Sequence, residues 1–191
     1  ALVLLASVAR AAKPPRSSKK DEVVTISTPQ GDIRLILFSQ TPLHKANFLK
    51  LAESGFYTGT TFHRVIPGFM IQGGDPNSKD TDPNNDGEGA ANEKMIPAEI
   101  RPELRHKRGA VAAARTADFV NPQRMSSASQ FYIVQNPQGT PHLDGQYTVF
   151  GQVISGQDVV DKIAQQPANE RDRPLTDIKM TVKVCLLYTS D

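Results

Sequence analysis

Residues 62–75 read Phe62-His63-Arg64-Val65-Ile66-Pro67-Gly68-Phe69-Met70-Ile71-Gln72-Gly73-Gly74-Asp75. The pair Pro67-Gly68 predicts a turn between two short strands, because proline and glycine interrupt regular structure. Alternate side chains of a strand share a face, so Met70 and Gln72 are expected together on the outgoing strand. Phe69 then lies at the corner, and Arg64 lies on the incoming strand. The stretch therefore predicts an apolar pocket with one fixed charge and one amide beside it.

The same residue types have a simpler interpretation when they are taken alone. Phenylalanine, isoleucine and methionine in strands usually belong to a core, and arginine is usually a solvated surface residue. His63 is likewise more often a packed core residue than a catalyst. This stretch by itself leaves both interpretations open.

Two further blocks of sequence favour the functional interpretation. They are Ser129-Gln130-Phe131-Tyr132-Ile133 and Leu143-Asp144-Gly145-Gln146-Tyr147-Thr148-Val149-Phe150-Gly151. Together with residues 62–75 they resemble, in the right order, the signature segments of the cyclophilins, the peptidyl-prolyl cis-trans isomerases. The resemblance covers about Val23 to Val184, and Tyr147, where other members have His, is a change seen in the bacterial-type branch. It implies an enzyme that accelerates rotation about X–Pro peptide bonds without covalent chemistry.

The spacing of strand-like segments indicates a mainly β fold. Seven or eight short strands with helices over about Thr41 to Ser54 and Gln157 to Ala164 favour a closed or nearly closed antiparallel barrel. The resemblance implies the finer form, a closed eight-stranded antiparallel β-barrel capped by two helices, with the site on its outer face. Thr41 is expected to be the N-cap of the first helix, with Pro42 as its first residue.

Composition divides the chain into three parts. Residues 1–22 hold an apolar, signal-like segment, expected to be truncated, and a basic Pro/Ser-rich linker. Residues 23–184 are the predicted isomerase domain, and residues 185–191 are a tail without assignment. The signal-like segment favours a periplasmic or secreted protein.

Charge and hydropathy exclude two classes of partner. Five of the 22 lysines and arginines lie in residues 1–20 without any acid, which leaves 17 cations against 20 acids. The remainder therefore offers no basic face for nucleic acid. No stretch reaches the roughly 18–20 apolar residues of a membrane span. A chain without a spare apolar helix is expected to be a monomer.

The resemblance also implies roles for particular residues. Arg64 is the catalytic residue, which donates toward the prolyl carbonyl or nitrogen in the twisted state, and Gln72 binds the substrate backbone and helps to hold Arg64. Arg115 stands where many members have Asn. His142 stands where many have Trp or Phe, an aromatic that contacts cyclosporin in sensitive members, so we expect weak cyclosporin binding. The implied substrate-binding residues are Phe69, Met70, Gln72, Ala114, Arg115, Gln130, Tyr132, His142, Leu143 and Tyr147. The implied partners are proline-containing polypeptides, and no metal or other cofactor is required.

One other function stays open at this point, a proline-peptide binding or chaperone module that keeps the pocket with little turnover. A hydrolase that uses Ser129, His142 and Asp144 is disfavoured, because no nucleophile elbow surrounds the serine.

A calcium-regulated form is a third alternative. Residues 82–93 match the calcium-loop spacing D-x-[DN]-x-[DN]-G-x5-E, with Asp82, Asn84, Asp86 and Glu93 as oxygen ligands. Neither flank has helical periodicity, so a solvated surface loop is the favoured interpretation.

Overall fold

The computed structural model describes residues 20–188. Within this range the backbone forms eight strands, two α-helices and two short 3₁₀ helices. The strands are β1 (Lys20–Thr28), β2 (Gly31–Leu37), β3 (Arg64–Ile66), β4 (Met70–Gly73), β5 (Ala110–Ala113), β6 (Phe131–Val134), β7 (Val149–Ser155) and β8 (Thr181–Tyr188). The helices are α1 (Pro42–Glu53) and α2 (Gln157–Ala164), and the 3₁₀ helices are Pro76–Lys79 and Pro141–Leu143.

All eight strands belong to one antiparallel sheet in the order β3-β4-β6-β5-β7-β2-β1-β8. The prediction of eight antiparallel strands with two helices is confirmed. Between residues 20 and 188 the end strands β3 and β8 share no ladder, and an isolated bridge joins Thr61 to Lys179 just before them. The sheet is therefore curled and open between its ends, and the predicted closure of the barrel is not shown.

Alternation along the strands gives the sheet two apolar faces. Ile71 and Ile133 point inward and pack into the main core, to which both α-helices contribute side chains. Met70 and Tyr132 point the other way and belong to a second, smaller cluster. Because successive side chains of a strand point to opposite faces, one pair of strands supplies both clusters. The second cluster is the base on which the candidate site is built.

The first turn of α1 is capped by a residue from a distant loop. Thr41 precedes Pro42 as predicted, but its side chain makes no cap hydrogen bond to the helix. Glu99 instead accepts from the backbone N–H groups of Leu43 at 3.1 Å and His44 at 3.0 Å. The first N–H groups of a helix lack partners inside it, so a carboxylate there satisfies them and meets the positive end of the helix dipole.

The first and last strands extend beyond the predicted domain bounds. β1 and β8 pair along their length, with Lys20 opposite Tyr188. Residues 185–188 of the predicted tail therefore belong to the sheet. The signal-like segment lies outside the described residues, and none of the helices between residues 20 and 188 has the length and apolar character needed to cross a membrane.

Candidate active site

The β3–β4 hairpin forms as predicted and sets the position of Arg64. Its turn has Gly68 at a φ of 75°, a left-handed conformation that favours glycine. The strand register places Arg64 opposite Gln72. Gln135 fixes the corner, because its side-chain oxygen accepts from the Gly68 N–H at 2.8 Å and its own N–H donates to the Phe69 carbonyl at 2.9 Å.

A cavity of about 220 Å³ opens on the outer face of the sheet beside this hairpin. Its lining consists of nine of the residues named from the sequence: Arg64, Phe69, Met70, Gln72, Ala114, Arg115, Tyr132, Leu143 and Tyr147. Met70 and Tyr132 are buried and form part of its apolar floor, whereas the Arg64 side chain is 45% exposed. The cavity thus combines an apolar floor with a cation that solvent and a ligand can both reach.

The other two predicted residues, Gln130 and His142, lie beside the cavity. Gln130 Oε1 accepts from Gln72 Nε2 at 3.1 Å, and Gln130 Nε2 donates to the Gly87 carbonyl at 3.0 Å. Gln130 therefore fixes the position of the Gln72 side chain, and both residues line a neighbouring cavity of about 280 Å³. The ring of His142 stacks on Phe69 with centroids 5.9 Å apart, which extends the apolar rim.

Arg64 has an ion-pair partner that the sequence did not indicate. Its Nε lies 3.5 Å from Oδ2 of Asp172, which belongs to the loop between α2 and β8. Both side chains are more than 40% exposed, so the pair holds the guanidinium only weakly. Gln72 was expected to help to hold Arg64. Within residues 20–188, Arg64 and Gln72 are joined through the pairing of strands β3 and β4. The Gln72 side chain donates its hydrogen bond to Gln130.

The side chain of Arg115 supports the cavity wall. It is 4% exposed, and its guanidinium lies 4.5 Å from the centroid of the Tyr147 ring. Its Nε donates to the Gln146 carbonyl at 3.0 Å, and its Nη1 donates to Asp118 at 2.6 Å. The guanidinium thus holds Tyr147 in place by stacking and by anchoring the residue before it.

The backbone groups of Ala114 and Arg115 differ in what they can offer a ligand. The Ala114 N–H donates to the Gln130 carbonyl at 3.0 Å, and the Ala114 carbonyl accepts from the Ser127 N–H at 2.9 Å. In the part of the chain that the structure describes, neither backbone group of Arg115 has a hydrogen-bond partner. Of these two residues, Arg115 is therefore the one whose backbone groups are free to pair with another chain.

Comparison with known proteins identifies the family. The family model described as "Cyclophilin type peptidyl-prolyl cis-trans isomerase/CLD" matches residues 23–184. The chain belongs to the cyclophilins. "Peptidyl-prolyl cis-trans isomerase CYP18-1" of Arabidopsis thaliana is 40% identical over 161 residues, which are 82% of this chain and 91% of that protein. "Peptidyl-prolyl cis-trans isomerase-like 2" of Rhizopus delemar is 40% identical over 164 residues, and this chain spans 28% of its length.

Solved cyclophilin structures share the fold. The crystal structure of a cyclophilin-type isomerase from Cryptosporidium parvum aligns with a TM-score of 0.75 and 31% identity, covering 90% of this chain and 99% of the other. The same protein crystallised in the presence of the dipeptide Ala-Pro aligns with a TM-score of 0.74 and 32% identity, covering 87% and 99% of the two chains. The predictions of a cyclophilin-like fold and of an isomerase are confirmed.

The calcium-loop residues of this cyclophilin have other partners. Asp86 accepts from Arg173 Nε at 2.6 Å. Glu93 accepts from the hydroxyl groups of Ser127 at 2.9 Å and Ser129 at 2.7 Å. Among residues 20–188, no group of three or more His, Cys, Asp or Glu side chains is placed to hold a metal ion. The structure does not support the calcium interpretation.

The residues of the hydrolase alternative are not brought together in this cyclophilin. The Ser129 hydroxyl donates to Glu93 at 2.7 Å, and His142 stacks on Phe69. Asp144 pairs with His106 at 2.9 Å. His106 lies behind the cavity and was not identified from the sequence, where no motif or spacing sets it apart.

Proposed function

We propose that this cyclophilin accelerates X–Pro rotation with Arg64 as its catalytic residue and the 220 Å³ cavity as the site of the prolyl ring. The observation that carries the proposal is the position of the Arg64 guanidinium at a cavity with an apolar floor. The ring fits the apolar part by its chemistry, and the guanidinium is the fixed cation in reach of the bond that rotates.

The barrier to rotation defines what Arg64 has to do. Resonance gives the peptide C–N bond partial double-bond character, with a barrier of roughly 18–20 kcal/mol. A hydrogen bond to the prolyl nitrogen in the twisted state draws its lone pair out of conjugation with the carbonyl. Arginine is suited to this donation because it stays charged and presents its donors in a rigid fork.

The strength of a hydrogen bond limits the contribution of Arg64. A hydrogen bond to a charged group contributes about 1.5–3 kcal/mol, and a tenfold change in rate corresponds to about 1.4 kcal/mol. Arg64 therefore supplies about one to two powers of ten. The rest of the acceleration comes from holding the peptide on both sides of the bond, with the ring in the cavity and the preceding residues on the Arg115 backbone.

The physiological partners proposed here are proline-containing polypeptides that reach the cavity in an extended form. The Ala-Pro dipeptide used with the Cryptosporidium parvum relative supports this class of ligand.

We also propose an exported, periplasmic or secreted monomer of the bacterial-type branch, with its isomerase domain in residues 23–184. The export rests on the signal-like segment, the branch on Tyr147, the monomer on the lack of a spare apolar helix within residues 20–188, and the domain bounds on the extent of the family match. A barrel closed through the contact of Thr61 with Lys179 belongs to the same proposal.

The test is a protease-coupled isomerisation assay on a short X–Pro peptide. Wild type is compared with Arg64→Ala, Arg64→Lys and the control Arg34→Ala, which removes an exposed arginine of β2 outside the cavity lining. We expect kcat/KM to fall about 10- to 100-fold in Arg64→Ala, and nearly as far in Arg64→Lys, which lacks the fork. Arg34→Ala should match wild type.

Two outcomes would change the proposal. Folded Arg64→Ala within about twofold of wild type, a difference below 0.5 kcal/mol, would remove Arg64 from the mechanism. Folded wild type that binds an X–Pro peptide without accelerating its rotation would favour the binding or chaperone module instead.

A further inference from the structure

A buried polar chain lies behind the floor of the proline cavity. His106 Nδ1 lies 2.9 Å from Asp144 Oδ1, and His106 Nε2 lies 2.9 Å from the Tyr132 hydroxyl oxygen. The His106 side chain is 0% exposed, and Tyr132 is 5% exposed. The mechanism proposed above uses the ring of Tyr132 but neither its hydroxyl nor His106.

The chemistry of the three groups fixes the direction of each hydrogen bond. An ionised carboxylate only accepts, so His106 Nδ1 donates to Asp144. Burial lowers the pKa of His106 even though the hydrogen bond and charge of Asp144 oppose this, and the imidazole is neutral at pH 7. Its Nε2 is then an acceptor, and the Tyr132 hydroxyl donates to it. Burial also raises the pKa of Tyr132, so that the donor keeps its proton.

The backbone of His106 ties down the loop that carries Leu143. Its N–H donates to Asp144 Oδ1 at 2.8 Å, and its carbonyl accepts from the Thr140 N–H at 2.8 Å. The two contacts flank Leu143, which lines the cavity. His106 is therefore bonded to two different walls of the cavity, the side chain of Tyr132 on β6 and the loop of Leu143.

We infer that His106 is a positioning residue that fixes Tyr132 against the Leu143 loop and so sets the width of the proline cavity, while Asp144 holds its tautomer. The inference rests on the proposed function, which assigns the cavity to the prolyl ring. Within residues 20–188, no hydrogen bond or ion pair joins His106 to Arg64, so losing the chain of hydrogen bonds acts on peptide binding and leaves the rotation step nearly unchanged.

The first test compares two Tyr→Phe variants that each remove one buried hydroxyl. Tyr132→Phe breaks the bond to His106, whereas Tyr57→Phe breaks a bond to the Ser129 carbonyl at 3.2 Å in the core, outside the cavity lining. A net hydrogen bond corresponds to about a three- to tenfold change in an equilibrium constant. We expect KM to rise by this factor in Tyr132→Phe with kcat within about twofold, and both to stay unchanged in Tyr57→Phe.

The second test examines Asp144 and the tautomer. Asp144→Asn keeps an oxygen acceptor and is expected to keep the wild-type KM, whereas Asp144→Ala is expected to raise it about as far as Tyr132→Phe. Combining Asp144→Ala with Tyr132→Phe should add little, because both break the same chain. Nitrogen NMR of the wild-type imidazole should show a proton on His106 Nδ1 and none on Nε2.

Three results would overturn the inference. They are equal KM values in Tyr132→Phe and Tyr57→Phe, a loss confined to kcat, or a His106 tautomer with the proton on Nε2. If wild type shows no turnover, the proposed function fails, and the same variants are then compared by the Kd of an Ala-Pro peptide measured by calorimetry. A Kd that rises in Tyr132→Phe but not in Tyr57→Phe supports the positioning role even in that case, so the two failures are distinguished.

Discussion

Replacing Arg115 by lysine tests how the cavity wall around Tyr147 is held. The Arg115 side chain is 4% exposed and makes three hydrogen bonds, to the Gln146 carbonyl at 3.0 Å, the Thr116 carbonyl at 3.0 Å and Asp118 at 2.6 Å. Lysine keeps the charge but carries it on one nitrogen. It therefore cannot replace both Nε, which donates to Gln146, and Nη1, which donates to Thr116 and Asp118.

The expected magnitude follows from these contacts. A hydrogen bond from a charged donor contributes about 1.5–3 kcal/mol, while the pair with Asp118, itself 51% exposed, adds little because solvent screens it. Arg115→Lys should lose the partly buried bond to the Gln146 carbonyl and part of the stacking on Tyr147, or about 2 kcal/mol of unfolding free energy. For a domain of this size that is a fall in Tm of roughly 4–8 °C.

The assay combines urea denaturation with peptide kinetics. Arg124→Lys is the matched control, because Arg124 also pairs with Asp118, at 2.9 Å, but is 35% exposed and lies outside the cavity lining. We expect the control to lose less stability than Arg115→Lys, because solvent screens its ion pair, and to keep its KM. We expect Arg115→Lys to raise KM as well as lower stability, because Tyr147 is a wall of the cavity. Equal stability losses in the two variants, with unchanged KM, would refute this account of the wall.

Other perturbations have equally defined outcomes. Burial is the largest cause of the lowered pKa values of His44, His63 and His106. Since histidine in the unfolded chain titrates near 6.5, the unfolded state binds more protons below that pH. Thermal melts should therefore show a Tm that is steady above about pH 6.5 and falls as the pH drops below it; a flat profile down to about pH 5 would contradict the burial of these rings. Asp172→Asn should lower kcat/KM no more than about fivefold, because an exposed ion pair contributes at most about 1 kcal/mol, and a loss as large as that of Arg64→Ala would contradict it. His142→Trp should strengthen inhibition by cyclosporin by roughly tenfold or more, since a buried aromatic anchor contributes about 2 kcal/mol at an interface, and unchanged inhibition would show that another position limits binding.

The parts of the site that could be predicted from the sequence are those encoded locally. The Pro67-Gly68 turn and the alternation along β4 place Met70 and Gln72 on one face, and both line the cavity. Ala114 shows the limit of a resemblance, because its backbone groups are already paired with Gln130 and Ser127, while those of Arg115 are free within the described range. Which of two adjacent peptide groups is free depends on the strand pairing and on loop contacts.

The contacts that were missed come from loops far away in the sequence. Glu99 caps α1 although it lies 55 residues from His44 along the sequence. Asp172 pairs with Arg64, which lies far earlier in the sequence. Such residues lie in segments without period-two or helical alternation, so no local pattern distinguishes them from solvated loop charges. The closure of the barrel between β3 and β8 stays a prediction for a related reason, because strand count and spacing do not determine whether the last pair of strands forms a ladder.

The site and the core of this cyclophilin cannot vary independently, because β4 serves both. A slip of one residue would move Met70 and Gln72 into the barrel and Ile71 out of it. The residue after Gln72 excludes a slip in one direction: a methyl group on Gly73 would lie 2.6 Å from the Thr61 carbonyl oxygen and 2.8 Å from Met180 Cε. Because only glycine allows this approach, a slip that brought Gln72 to this position would clash with the core. The position of Arg64 opposite Gln72 is therefore tied to the packing of the core on the other face of the same strand.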